Sequence, residues 1–96
     1  MLALRPSCEH CDKPLPPAST DAMICSYECT YCRTCAIELF QNVCPSCAGG
    51  FHQRPIRPEA GLKKHPASDI RIFKPKNLEK TRLHLALYAA IPPEKR

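Results

Sequence analysis

Eight cysteines in the first 47 residues are the side chains of this sequence best placed to do chemistry. They run Cys8-x2-Cys11, thirteen residues, Cys25-x3-Cys29-x2-Cys32-x2-Cys35, eight residues, Cys44-x2-Cys47. Thiols at such spacings can form cystine bridges, cradle an iron-sulfur cluster or ligate zinc. The start, "MLALRPSCEH", puts Arg5 and Pro6 where a secretory signal needs an apolar core, and no run approaches the roughly 18 apolar residues of a membrane span. The pattern therefore predicts a cytoplasmic chain with reduced thiols, and paired C-x2-C units in that setting point to metal. "CTYCRTC" does contain the C-x2-C-x2-C run of bacterial ferredoxins. There a fourth cysteine follows after three residues and precedes proline, whereas here the three-residue gap falls before the run and Ala36 follows Cys35. A thioredoxin-like redox pair is disfavoured because no alternating strand and helix pattern surrounds any C-x2-C.

Zinc suits the spacing physically. Two intervening residues let both sulfurs of a C-x2-C turn face one ion at about 2.3 Å, with amides of the turn free to donate to them. If Cys25 and Cys29 count as a wider pair, four half-sites make two closed tetrahedra, which hold two Zn²⁺ ions and leave no open position for catalysis. Counting alone does not exclude sequential pairing. However, Cys29, Cys32 and Cys35 follow one another too closely for two independent fingers, so interleaving is expected. Site 1 would then be Cys8, Cys11, Cys32 and Cys35, and site 2 would be Cys25, Cys29, Cys44 and Cys47. Each ion would add roughly 10 kcal/mol or more to folding.

The ligand order resembles the RING finger family: C-x2-C, a variable loop, C-x3-ligand-x2-C-x2-C, a second variable segment and a final C-P-x-C containing Pro45. Cys29 stands where RING fingers usually carry histidine. The resemblance implies a small zinc-stabilised α+β module, RING-like or treble-clef, cross-braced, with a short β-hairpin and one short helix. The resemblance also implies, as a lesser alternative, a RING-type ubiquitin-ligase-like adaptor that recruits a ubiquitin-conjugating enzyme, and three features count against it. His10 stands where an aliphatic residue usually precedes the second ligand, Ala48 where a basic residue often follows the last, and tryptophan is absent. "LRPSCEHCDKPLPP", "ICSYECTYCRTC" and the tail motifs "RPIRP", "PAS" and "FKP" also resemble the bacterial family catalogued as domain of unknown function 1272. That resemblance spans roughly residues 1 to 75 and implies a zinc-binding protein with no assigned activity.

The elements that must position these thiols are few. Ninety-six residues with eleven prolines and 6% aromatics cannot build a large core. "DKPLPPASTD" predicts a stiff surface loop, and "AMICSYEC" a strand entering a turn. "AIELFQNV" predicts two helical turns over residues 36–43, with Ile37 and Phe40 inside. Beyond residue 54, which closes a predicted module over 1–54, residues 55–76 predict an extended basic segment. Residues 77–96 predict a helix capped by Asn77 and ended by Pro92 and Pro93. Leu83, Leu87 and Ile91 would pack it on the module or, if exposed, form a self-association stripe.

Charge separates the halves. Residues 1–51 hold three Lys/Arg against five Asp/Glu, while residues 52–96 hold eleven against four. Loading two four-thiolate sites would leave the first half at −6 and the whole chain at only +1. No convergent acid, base and nucleophile set exists; Glu9, Asp12, Glu28 and Glu38 suit solvated or capping roles, and the chain is expected not to be an enzyme. His10 is a turn residue inside the first pair, and His52, His65 and His84 lack ligand spacing. The expected role is binding another protein. Nucleic acid is the alternative, through Arg54, Arg57, Lys63, Lys64, Arg71, Lys74 and Lys76.

Overall fold

In the computed structural model, which describes residues 1–96, "AMI" and "TYC" form an antiparallel hairpin of β1 (Ala22–Ile24) and β2 (Thr30–Cys32). Ala22 lies opposite Cys32, Met23 opposite Tyr31 and Ile24 opposite Thr30. A third strand, β3 (His52–Gln53), pairs antiparallel with the other side of β1, giving the order β2-β1-β3. The hairpin loop carries Cys25 and Cys29, while β2 ends on Cys32. One three-residue strand therefore separates the two groups of thiols.

Tyr31 is buried with its ring edge-on to Phe40 at 5.2 Å and to Phe51 at 5.5 Å, and His10 packs edge-on to Phe40 at 5.3 Å. Five of the twelve residues in the core cluster are cysteines. With so little hydrocarbon buried, packing contributes too little to offset chain entropy, and something must hold the sulfurs together.

The helix expected over residues 36–43 is instead a π-helical segment, Thr34–Leu39, with Phe40 N donating to Cys35 O at 2.8 Å. Its wider winding brings residue i over i+5, so Phe40 stacks above Cys35 and Ala36, and the three-residue spacing no longer shares a face. Ile37 is consequently 40% exposed, contrary to expectation, while Phe40 is fully buried. Left-handed Gln41 and Asn42 end the segment, and Asn42 Oδ1 accepts the Phe51 amide at 2.8 Å.

Residues 55–76 are not wholly extended: α1 (Glu59–Lys64) follows Pro58, whose fixed φ suits a helix entry. Arg57 reaches from one side of α1 to the other, donating to His65 O at 2.6 Å and to Leu2 O at 2.7 Å. The chain then lies along the N-terminal residues through Ser68 N to Leu4 O, Lys74 N to Glu9 O and Lys76 N to His10 Nδ1. Arg71 pairs with Asp12.

The final helix, α2 (Leu78–Tyr88), is capped as expected: Asn77 Oδ1 accepts from the amides of Glu79 and Lys80. Its packing face differs from the expected one. Leu83 and Leu87 are 68% and 65% exposed, and the module instead meets buried Thr81 with half-buried His84, Leu85 and Tyr88. One contact from α2 and two from the chain end beyond it meet main-chain carbonyls of the module. His84 Nε2 lies 3.0 Å from Cys44 O, and Arg96 donates to Asn42 O and Ala48 O at 2.9 and 3.0 Å.

Candidate metal centres

The first group is complete. The sulfurs of Cys8, Cys11, Cys32 and Cys35 all lie within 4.8 Å of one another. Cys11 Sγ and Cys32 Sγ are 3.7 Å apart. A regular tetrahedron with metal–sulfur bonds of about 2.3 Å has edges of about 3.8 Å, so this pair already sits at the separation zinc would impose. A cystine bond requires about 2.05 Å, and all eight thiols are free.

The second group brings Cys25, Cys44 and Cys47 within the same 4.8 Å limit. Cys29, predicted as the fourth member, does not join that mutual set; its carbonyl accepts from Cys25 N at 3.2 Å. These contacts join the first pair to the third and the second to the fourth, so the two clusters interleave along the chain.

The turns that carry the thiols are alike. Cys8 N donates to Lys13 O at 2.9 Å while Asp12 N returns to Cys8 O at 3.0 Å; Cys44 N donates to Gly49 O and Ala48 N returns to Cys44 O, both at 2.8 Å. The residue after each pair is left-handed, Asp12 at φ 66° and Ala48 at φ 65°. Amides point at sulfur throughout: Cys11 N to Cys8, Cys35 N to Cys32, Tyr27 N to Cys25 and Gly49 N to Cys47, at 3.4–3.5 Å. Such donors stabilise thiolate charge and orient it. No glycine anywhere has positive φ, so composition gave no hint of this repeated turn. Asp tolerates the left-handed region, but Ala48 bears its steric cost of about 1–2 kcal/mol. Ala48→Gly should raise unfolding free energy by about 0.5–1 kcal/mol after the entropy of the freer unfolded chain is deducted, as read by urea denaturation.

Without a cation Cys25, Cys35 and Cys44 are pushed toward their neutral form. Burial pushes Cys25 up to about 11, and burial with neighbouring Cys32 raises Cys35 far above its ordinary value. Cys44 rises through its hydrogen bond with Cys29 and through burial. At Cys11 burial also pushes upward, but the Lys13 amide and the sulfurs around it outweigh that and leave the thiol below its usual range. Sulfurs crowded this closely repel once ionised, and a divalent cation placed among them reverses the sign of that interaction.

Three of the cations considered for phosphate contact are engaged internally. Arg54 is buried on carbonyls, Arg57 bridges Leu2 and His65, and Arg71 pairs with Asp12. Sequence patterning missed these carbonyl clamps and that of Arg96, since a basic residue looks the same whether it faces water or a buried acceptor. No helix is long and apolar enough to cross a membrane.

Fold and thiols together define a small α+β protein with a three-stranded antiparallel sheet and two cysteine clusters that could hold metal ions. The chain belongs to the family described as Protein of unknown function (DUF1272), which matches residues 1–57. An uncharacterized protein of Rhizobium meliloti (strain 1021) is 55% identical over 75 residues, covering 78% of this chain and 89% of that protein. No solved structure matches it.

Proposed function

We propose that this chain is a non-catalytic cytoplasmic zinc protein, in which two cross-braced four-cysteine sites stiffen a RING-like, treble-clef scaffold that binds another protein. The observation that carries this is the complete group of Cys8, Cys11, Cys32 and Cys35, whose 3.7 Å edge fits a tetrahedral ion. All-thiolate ligation favours zinc over hard cations, and a closed site holds shape without activating water. At the second site Cys29, at the far end of the hairpin loop from Cys25, supplies the fourth sulfur to the trio of Cys25, Cys44 and Cys47. With the metal sites closed by four sulfurs each and no convergent acid and base set in the sequence, activity resides in the surface.

Native mass spectrometry of protein purified without added metal should show two zinc ions per chain. Iron, or a metal-free chain that stays compact, would refute the proposal. Cys29→Ala should lose at least the second ion, because it removes one of that site's four sulfurs. Retention of two tightly held ions would remove Cys29 from the ligand set.

A further inference from the structure

Three surface grooves join into one track over the last cysteine turn. The first, lined by Tyr27, Cys29, Ser46 and Cys47, shares Tyr27, Cys29 and Ser46 with a second of about 280 Å³ that adds Arg5, Lys74 and Lys76. The second shares Lys76 with a third of about 210 Å³, beside Pro45, Lys80 and His84. Arg5, Lys74, Lys76 and Lys80 thus point charge into one continuous depression.

None of these four cations has a carboxylate partner. The chain's two ion pairs are Lys13 with Asp21 and Arg71 with Asp12, both elsewhere. Glu9 is the one carboxylate on the track; it is buried, and its Oε2 accepts the Thr30 amide at 2.6 Å. Cys29 and Cys47 at the Tyr27 end belong to the second metal site, whose loaded charge of about −2 leaves the Lys74, Lys76 and Lys80 end the positive one. The arrangement is also held in place. Lys74 N and Lys76 N are bonded to Glu9 O and His10 Nδ1, so the lysines are presented from fixed backbone. At one end stands Tyr27, 77% exposed, with Ile72 in the adjoining wall.

We infer that this track binds an extended acidic segment of a partner protein, with carboxylates on Arg5, Lys74, Lys76 and Lys80 and an apolar side chain against Tyr27 and Ile72. Charge complementarity selects an anionic occupant. A peptide fits better than nucleic acid because a single exposed aromatic on the track cannot stack successive bases, and three arginines suited to phosphate are spent on internal contacts. The inference rests on the proposed protein-binding scaffold and names the chemistry of its partner.

The test is fluorescence anisotropy of the zinc-loaded full chain with a labelled eight-residue peptide of aspartate and glutamate around one phenylalanine. A neutral peptide of equal length and an eight-nucleotide DNA strand serve as comparisons, with native mass spectrometry of every variant alongside. Binding should be measurable at low salt and weaken about tenfold or more between roughly 20 and 200 mM salt. Combined Lys74→Ala, Lys76→Ala and Lys80→Ala should reduce it at least about tenfold, while Lys63→Ala with Lys64→Ala, on α1 and off the track, should leave it unchanged. No acidic-peptide binding at low salt overturns the inference, as does tighter binding of the DNA strand or an equal loss in the α1 variant. If the lysine-to-alanine variant instead sheds metal while wild type ignores the peptide, these lysines are counter-charges to the thiolates. The inference then fails while the two-zinc scaffold stands.

Discussion

Removal of both metal ions by a strong chelator is expected to unfold the chain cooperatively, with loss of far-ultraviolet circular dichroism and of amide dispersion in nitrogen–proton spectra. The core explains the size of the effect. Five of its twelve residues are cysteines, and the strands of its sheet have two or three residues each. A domain's net stability is about 5–15 kcal/mol, whereas each structural zinc contributes roughly 10 kcal/mol or more, so loss of either ion exceeds what packing leaves over. Cys32→Ala should behave similarly, because Cys32 ends β2 and belongs to the four-sulfur group. Protons compete with metal for the same sulfurs. Since Cys25, Cys35 and Cys44 are pushed upward in the cation-free chain, they are protonated near neutrality and binding must release protons. Acidification therefore weakens metal binding and folding together, and titration calorimetry in buffers of different ionisation enthalpy should show that release. A chelated sample that keeps its dispersed spectrum would sink the prediction.

How far such behaviour could be foreseen depends on which physical rule governs each residue. The C-x2-C spacing is a local constraint, so the paired half-sites were legible in the sequence, whereas which halves combine depends on contacts between turns distant in the chain. Asn77 was legible for the same reason, since a cap acts within three residues. Ile37 and Leu83 were not. Ile37 turned outward because the backbone adopted π winding, which the three- and four-residue periodicity of the sequence does not encode. Leu83 turned outward because α2 turns Thr81, His84 and Leu85 toward the module, with His84 on the Cys44 carbonyl, a contact between residues distant in sequence. The family match ends at residue 57, before α1 and α2.

Arg54→Met is expected to destabilise the chain by about 3 kcal/mol while leaving two ions bound. Arg54 is 1% exposed, yet no carboxylate accompanies it. Its guanidinium donates to Arg5 O at 2.9 Å, Leu15 O at 3.2 Å and Pro16 O at 3.0 Å, and its own amide extends the β1–β3 ladder to Ala22 O at 2.8 Å. One side chain thereby ties the lead-in and the proline-rich loop to the sheet. Burial lowers the affinity of Arg54 for its proton, but guanidinium stays charged across the accessible range, so the three carbonyl dipoles must carry that charge. Nε finds no partner, which is part of the cost of the arrangement. Methionine fills much of the volume but leaves three acceptors unpaired, and Arg54→Lys replaces a planar fork by a single ammonium centre that cannot serve separated carbonyls equally. For a chain of this size about 3 kcal/mol corresponds to a fall in melting temperature of roughly 12–24 °C. Thermal unfolding of zinc-loaded protein measures that fall, and native mass spectrometry of the same sample checks the ion count. A change below about 0.5 kcal/mol would show that water replaces the guanidinium without penalty, and loss of an ion would show that Arg54 acts through the thiolates instead of through the loops.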